Sequence, residues 1–364
     1  MRQAGRCPAM AETEAQGAAA RAQGAAMRIA HLADIHIADR RREEYAAVFR
    51  ALYQSLRETA PDLVVVAGDV FDNKMRASPH NIQDVLTFLT ELTRVAPVVM
   101  IAGNHDTNVL SPGALDLLTP ILAEHKHLQP PYLTYWRDSG HYEAHGCRWT
   151  VKATDGAWPP PLPAAAAALP HVLLFHEEVD AARLPNGGRA GFGLALTDLA
   201  PYDLALGGHI HERQLLSPRA GYCGSLVQQN IGESHDRHGY LLWEPAPAPA
   251  AAGRPTWRPR EVDVYNARGY LTVRLRGGED VTARPLPLDP LYWALSFDAR
   301  TEPAAVDKAV ADYTALLGRP PRSVEGGSPP AGGEGAEGEE GGEGAPPAVL
   351  PGALQQAQQA AGRL

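Results

Sequence analysis

Three short runs of β-branched and aliphatic residues stand out along the first hundred positions: Arg28 to Ala33, Leu63 to Ala67 and Val98 to Ala102. Each is followed by a polar, glycine- or aspartate-bearing segment, which predicts a buried strand ending in a loop. Between the first two, Tyr45, Val48, Phe49, Leu52 and Leu56 recur at i, i+3, i+4, i+7 and i+11, one face of a helix. Pro61 then precedes the next strand. Ser78-Pro79 opens a second helical stretch whose Val85, Leu86, Leu89 and Leu92 share a face. The order β-α-β-α-β predicts an α/β fold, by default a sheet covered by helices on both faces.

Further along, residues 157–170 (Ala-Trp-Pro-Pro-Pro-Leu-Pro, then Ala-rich) read as a surface insertion. Strand signals return at His171 to Phe175, Asp203 to Leu206, Ala220 to Cys223 and Gly239 to Trp243. A Pro-Ala alternation then marks residues 245–260 as a semi-extended linker. Beyond it, two strands (Gly269 to Leu275, Leu291 to Phe297) and a helix (Ala304 to Leu317) predict a small α+β module over 261–320. The expected organisation is a disordered extension over 1–26, a main domain over 27–244, the linker, the small module and a disordered tail over 321–364. That tail is acidic and rich in Gly, Glu and Pro, with a short helix as a candidate near its end.

Composition changes this picture little. A chain of 364 residues can bury one large core and a smaller one. Its formal charge of −9 is uneven: residues 325–345 hold six acidic residues and no Lys or Arg, so the rest is only mildly acidic. Charge therefore neither supports nor excludes a nucleic-acid substrate. Three cysteines without a C-x-x-C pair suggest a reducing, intracellular compartment: the nucleus in a eukaryote, the cytoplasm in a prokaryote or virus-infected cell. Residues 1–26 lack an apolar core, which argues against a secretory signal, and Glu12 and Glu14 argue against a mitochondrial presequence. No run approaches the length of a membrane span.

The informative positions lie where the strands end. Asp34-Ile35-His36, Gly68-Asp69-Val70-Phe71-Asp72, Gly103-Asn104-His105-Asp106, Phe175-His176 and Gly207-Gly208-His209-Ile210-His211 bring oxygen and imidazole ligands to five loops. Carboxylate, imidazole and amide oxygen together suit Mn²⁺, Fe²⁺ or Zn²⁺, with Mg²⁺ also a candidate. Asp34, His36, Asp69, Asn104, His176, His209 and His211 are too many for one ion, so two ions sharing Asp69 fit the count. Such a pair lowers the pKa of a shared water and draws charge from phosphoryl oxygens. His105, not needed as a ligand, is then placed to donate a proton to the leaving group, with Asp106 expected to hold its tautomer.

This pattern of D-x-H, G-D-x-x-D, G-N-H-D, H and G-H-x-H resembles the calcineurin-like metallophosphoesterases over roughly residues 27–244. Within that superfamily, Tyr222-Cys223-Gly224-Ser225, Gln228-Gln229, Ile231-Gly232-Glu233 and His238-Gly239-Tyr240 are similar to the block that follows the last metal motif in the Mre11 and SbcD nucleases. Asp72 stands where cellular eukaryotic and archaeal members carry a second histidine, which resembles the bacterial and phage branch. The resemblance implies a two-sheet α/β sandwich flanked by helices, with a DNA-facing cap corresponding to residues 261–320. It implies one ion held by Asp34, His36, Asp69 and His211, a second by Asp69, Asn104, His176 and His209, and His105 as the catalytic histidine. It further implies Mn²⁺-dependent exonuclease and endonuclease action on DNA ends in break repair or recombination, with a Rad50- or SbcC-type ATPase as partner; a homodimer is a candidate assembly.

Arg40, Arg41 and Arg42 after the first motif, and Lys74 and Arg76 after the second, are candidates for substrate phosphates, against the alternative of a solvated helix flank. Asp72 is a candidate to orient a ligand histidine. His31, like the other histidines outside the motifs, reads as an ordinary surface or core residue. Two rival functions share these residues: a phosphatase or phosphodiesterase for small substrates, and a DNA-end scaffold in which the ions are structural.

Overall fold

The computed structural model describes residues 27–327 apart from 76, 108–114, 155, 163–168, 185–187, 192, 230–232, 234–236, 247–255, 265–269, 283–291, 319 and 322. The expected extension over 1–26, the tail beyond 327 and Arg76 lie outside the described residues. The chain divides into two compact units, one spanning Met1–Gln229 with Arg237–Tyr265 and the other Asn230–Asp236 with Asn266–Leu364.

The first unit is an α/β sandwich of two six-stranded sheets. Its elements are β1 (Ile29–Leu32), α1 (Arg42–Thr59), β2 (Leu63–Ala67), α2 (Pro79–Val95), β3 (Val98–Ile101), α3 (Leu118–Ala123), β4 (Leu133–Trp136), β5 (Gly140–Ala144), β6 (Cys147–Lys152), β7 (His171–His176), β8 (Leu204–Gly208), β9 (Gln214–Ser217), β10 (Ala220–Tyr222), β11 (Gly239–Ala246) and β12 (Thr256–Asp263). The first sheet runs β12-β11-β1-β2-β3-β4 and the second β5-β6-β7-β8-β10-β9. Strands β1 to β4 are mutually parallel, as are β6, β7, β8 and β10. The C-terminal ends of neighbouring strands therefore lie together in each sheet.

Alternation along the strands distributes the core. Ala30, Leu32, Val64, Val66, Val98 and Met100 pack against Tyr45, Val48, Phe49 and Leu52 of α1 and Val85, Phe88 and Leu89 of α2. Ile29, Val65, Val99 and Ile101 instead meet Trp149, Val172, Leu174 and Leu206 of the second sheet. Both faces of β1 to β3 are thus dry, which is why these strands read as unbroken apolar runs. The default of helices on both faces is corrected here: helices cover one face of the first sheet and the second sheet covers the other. Helix α1 stops at Ala60, whose φ of 45° and N–H bond to Leu56 O form a left-handed cap before Pro61. Helix α2 starts as its sequence dictates, with the Ser78 side chain accepting from Asn81 N at 3.1 Å and Pro79 in the first turn.

The boundary of the small module also moves. Residues 256–260, expected in the linker, and 261–263, expected in the module, form one strand, β12, which pairs antiparallel with β11 along its whole length from Thr256 to Asp263. Four of its eight residues are charged (Arg258, Arg260, Glu261 and Asp263), so the weak apolar signal of this edge strand hid it. In the second unit, β13 (Tyr270–Arg276), β14 (Glu279–Asp280), β15 (Tyr292–Asp298) and β16 (Ser323–Gly327) form a sheet in the order β14-β13-β15-β16, covered by α4 (Pro303–Leu317). Residues 323–327, expected in the disordered tail, pair parallel with β15. Their Gly-Glu composition conceals a strand that only the crossover through α4 defines.

Candidate metal centre

The five motifs arrive from the C-terminal ends of both sheets. Asp34 and His36 follow β1, Asp69 follows β2 and Asn104 follows β3; His176 closes β7, and His209 and His211 follow β8. Main-chain bonds zip the first two loops together: Asp34 N donates to Gly68 O, His36 N to Asp69 O and Ile37 N to Val70 O. Asp34, His36, Asp69 and His209 all have positive φ (51°, 50°, 54° and 92°), a region that costs a side-chain-bearing residue energy. Four of the seven candidate ligands are therefore held in strained backbone by the surrounding fold.

The side chains converge. His36 Nε2 lies 3.1 Å from His211 Nε2 and 3.6 Å from Asp69 Oδ2. His176 Nε2 is 3.3 Å from Asp69 Oδ2 and 3.1 Å from Asn104 Oδ1, and His209 Nδ1 is 3.0 Å from the same amide oxygen. His211 Nε2 and Asp34 Oδ1 are 3.9 Å apart. Among the described residues, three overlapping groups each bring their ligand atoms within 4.8 Å of one another: Asp34 with His36 and His211; His36 with Asp69 and His105; and Asp34 with Asp69 and His176. Asp69 belongs to two of them and touches histidines from both sides.

This donor set fits cations. His176 Nδ1 donates to Ala67 O at 2.6 Å, which leaves Nε2 as the free ring nitrogen, aimed at Asn104 Oδ1 and Asp69. A lone pair facing an amide oxygen and a carboxylate repels unless a positive charge lies between them. With no ion, a proton supplies it: burial opposes ionisation of His176, but Asp69 and Asp34 override this and push its imidazole up to about 10. Burial likewise opposes the charge on Asp69, yet His176, His36 and His105 hold its carboxyl far below the usual range. Burial pushes Asp34 up to about 6 and, with His176, takes His209 down to about 4; burial also lowers His36. Neutral His36 and His209 are ready ligands, and a divalent ion can replace the His176 proton.

His105 sits at the edge of this set, its ring edge-on to His36 with centroids 4.6 Å apart. Its Nδ1 donates to the main-chain oxygen of Asp72 at 2.5 Å, and its N–H donates to Asp69 Oδ1 at 2.8 Å. Asp106 does not touch the ring. It is 1% exposed and accepts from Gly103 N, Val70 N and Phe71 N, so it ties the second motif loop to the third. The expectation that Asp106 sets the His105 tautomer is thus overturned: main-chain amides take up the Asp106 carboxylate, and the His105 ring is held by the Asp72 carbonyl instead.

The phosphate candidates separate as well. Arg41 is buried, clamps Glu44 through Nε and Nη2 at 2.7 and 2.8 Å, donates to Gln228 O, and cannot meet a substrate. Arg42 makes a two-point pair with Asp84, joining α1 to α2. Arg40 is solvent-facing and lies 3.3 Å from Asp72 Oδ2, so that carboxylate pairs with an arginine rather than with a ligand histidine. Lys74 Nζ donates to Asn104 O at 2.9 Å, beside the site. Residues the motifs do not announce also serve it: Tyr45 O–H donates to His36 O, Gln229 Nε2 donates to Ile35 O at 3.5 Å, and Lys152 pairs with Glu177 next to His176. Tyr45 was legible only as a core position of α1.

Strand ends from two sheets that present carboxylates, imidazoles and an amide oxygen around a shared aspartate define a metal-dependent hydrolase. The calcineurin-like phosphoesterase family model matches residues 27–213, and the chain belongs to that family. It is 30% identical over 284 residues to an uncharacterized protein of Acanthamoeba polyphaga mimivirus, covering 72% of this chain and 20% of that protein. It is 31% identical over 99 residues to the DNA double-strand break repair protein Mre11 of Archaeoglobus fulgidus, covering 25% of this chain and 22% of that protein. The chain thus spans about a fifth of the length of the curated relatives it matches.

Proposed function

We propose that this protein is a dinuclear metal-dependent nuclease that hydrolyses phosphodiester bonds at DNA ends, with Mn²⁺ as the favoured ion. The observation that carries the reading is the packing of the block after His211. Ser225 bridges to Ala33, and Gln228 and Gln229 meet Arg41 and Ile35 directly behind the first metal motif. That block resembles the Mre11 and SbcD nucleases, and the partial likeness to an archaeal Mre11 supports the same choice of substrate.

Two bound ions would supply an activated water and neutralise charge on the phosphoryl group. Asp34, His36, Asp69 and His211 would hold one; Asp69, Asn104, His176 and His209 would hold the other. His105, its Nδ1–H given to the Asp72 carbonyl, leaves Nε2 as the nitrogen that would pass a proton to the leaving oxygen. Arg40, beside Asp72, and Lys74, on the Asn104 carbonyl, are the cations this reading assigns to a phosphate backbone. An SbcC- or Rad50-type ATPase is the partner this reading carries. The test is cleavage of 5′- and 3′-labelled linear duplexes in Mn²⁺ and in Mg²⁺, compared with a small phosphodiester. Turnover of the small ester with intact DNA would overturn the nuclease reading and leave a phosphodiesterase.

A further inference from the structure

The two glutamates that follow His176 face different ways. Glu177 turns to the buried Lys152, and its carbonyl accepts from Tyr222 O–H at 2.8 Å. Glu178 turns to the centre: its Oε1 lies 3.9 Å from His209 Nε2. Among the described residues it has no other charged partner or hydrogen-bond donor to its side chain. Its backbone is held firmly. Leu194 N donates to Glu178 O at 2.9 Å, Val179 bridges to Leu194, and Gly193, with φ +100°, brings its main chain so close that a Cβ would sit 2.3 Å from Glu178 O.

His209 faces Asn104 Oδ1 through Nδ1, so Nδ1 is the nitrogen available to an ion on that side. A neutral imidazole that gives Nδ1 to a metal carries its proton on Nε2, and that N–H needs an acceptor to fix tautomer and ring angle. His176 has one in Ala67 O. For His209 the group in line is a carboxylate, which also raises the basicity of the ring. Closing 3.9 Å to a hydrogen bond asks for about 1 Å of carboxylate movement, within reach of a glutamate whose side chain is 33% exposed.

We propose that Glu178 is a positioning residue of the metal centre, accepting from His209 Nε2–H and so strengthening the ion held by Asp69, Asn104, His176 and His209. The inference rests on the two-ion reading of the site and not on the choice of DNA as substrate. It predicts an asymmetric defect, since the ligand histidine that Glu178 faces is His209, assigned to only one of the two ions.

The experiment is calorimetric titration of the metal-free 364-residue chain with Mn²⁺ alone, for wild type, E178A and E178Q, with thermal unfolding of each metal-free variant alongside. Wild type should take up two ions. In E178A one of the two dissociation constants should rise about 10- to 100-fold while the other stays within about twofold. E178Q, which keeps an acceptor oxygen but not the charge, should recover part of the loss. Two unchanged constants in E178A overturn the proposal, as does equal weakening of both ions with a lowered melting temperature, which would mark a merely structural residue. A wild-type protein that binds fewer than two ions would instead overturn the two-ion reading beneath it.

Discussion

His105 Nδ1 donates to the main-chain carbonyl oxygen of Asp72 across 2.5 Å, so the ring is oriented by backbone and not by the neighbouring carboxylate of Asp106. Removing the imidazole should therefore cost chemistry and little else. His105→Ala is expected to lower turnover about 10²- to 10⁴-fold with Mn²⁺ stoichiometry retained. Asp72→Ala, which keeps the carbonyl, should leave the pH profile of turnover in place. Loss of one Mn²⁺ in His105→Ala would make His105 a ligand instead.

Asp106 has the opposite signature. Burial, with Asp69 close by, pushes its carboxyl up to about 7, against the Gly103, Phe71 and Val70 amides that favour the ionised form. Asp106→Ala leaves those three donors buried without an acceptor, at about 1–3 kcal/mol each. Urea unfolding should show a loss of several kcal/mol at the low end of that range. An unchanged midpoint combined with lost activity would restore a direct role at His105.

How much of this was legible turns on range. The candidate ligands could be picked out because each motif is local: a strand that must be apolar on both faces, then a short segment that sets Asp, Asn or His among buried apolar neighbours. Helices α1 and α2 were readable for the same reason. What escaped is what the chain decides over distance. Arg41 looks like its neighbours Arg40 and Arg42 until Glu44 and the carbonyl of Gln228, far along the chain, close around it. β12 is a charged edge strand, β16 a Gly-Glu segment, and neither carries a pattern of its own; pairing partners define both. Glu178 has no motif, and only the fold brings it to His209.

Arg40 and Arg41 should accordingly separate in experiment. Arg41→Ala strands the buried Glu44 carboxylate and is expected to destabilise the fold by about 3–5 kcal/mol, with part of the loss recovered when Glu44→Gln is added. Arg40→Ala, on the surface, should change stability by less than about 1 kcal/mol and instead weaken DNA binding, reducing the salt slope by about one. Denaturation and fluorescence-anisotropy titrations across salt concentrations measure the two effects. Equal DNA-binding defects at unchanged stability would return Arg41 to the phosphate contacts.

His31 gives the fold a pH dependence of known sign. It is fully buried in β1, neither ring nitrogen has a hydrogen-bond partner among the described residues, and burial takes its pKa down to about 3, opposed only by the nearby Gly207 backbone. Above about pH 6.5 the ring is neutral folded and unfolded, and contributes nothing to pH dependence. Below that value the unfolded chain takes up a proton that the native state refuses. Stability therefore falls as pH falls, by at most about 1.4 kcal/mol per pH unit, until the folded pKa near 3 is reached. His31→Leu should flatten the acid limb between roughly pH 6 and 4 in metal-free protein. The same slope in both proteins would assign the limb to other groups.

Gly208 tests whether the last motif needs its second glycine for space. It pairs with His176 across β7 and β8, and a Cβ there would fall 2.0 Å from Ala67 O and 2.6 Å from His176 Nδ1. Those two atoms form the hydrogen bond that turns His176 Nε2 toward Asp69. A methyl group cannot enter without separating them, and one of them is strand backbone that cannot swing aside. Gly208→Ala should thus weaken one of two Mn²⁺ sites about tenfold or more and cost about 1–3 kcal/mol in stability. Gly191, where a Cβ meets nothing within 4 Å, is the control: Gly191→Ala should leave both measurements alone. If Gly208→Ala binds two ions as wild type does, His176 does not depend on the Ala67 carbonyl for its aim, and the centre is more plastic than its packing implies.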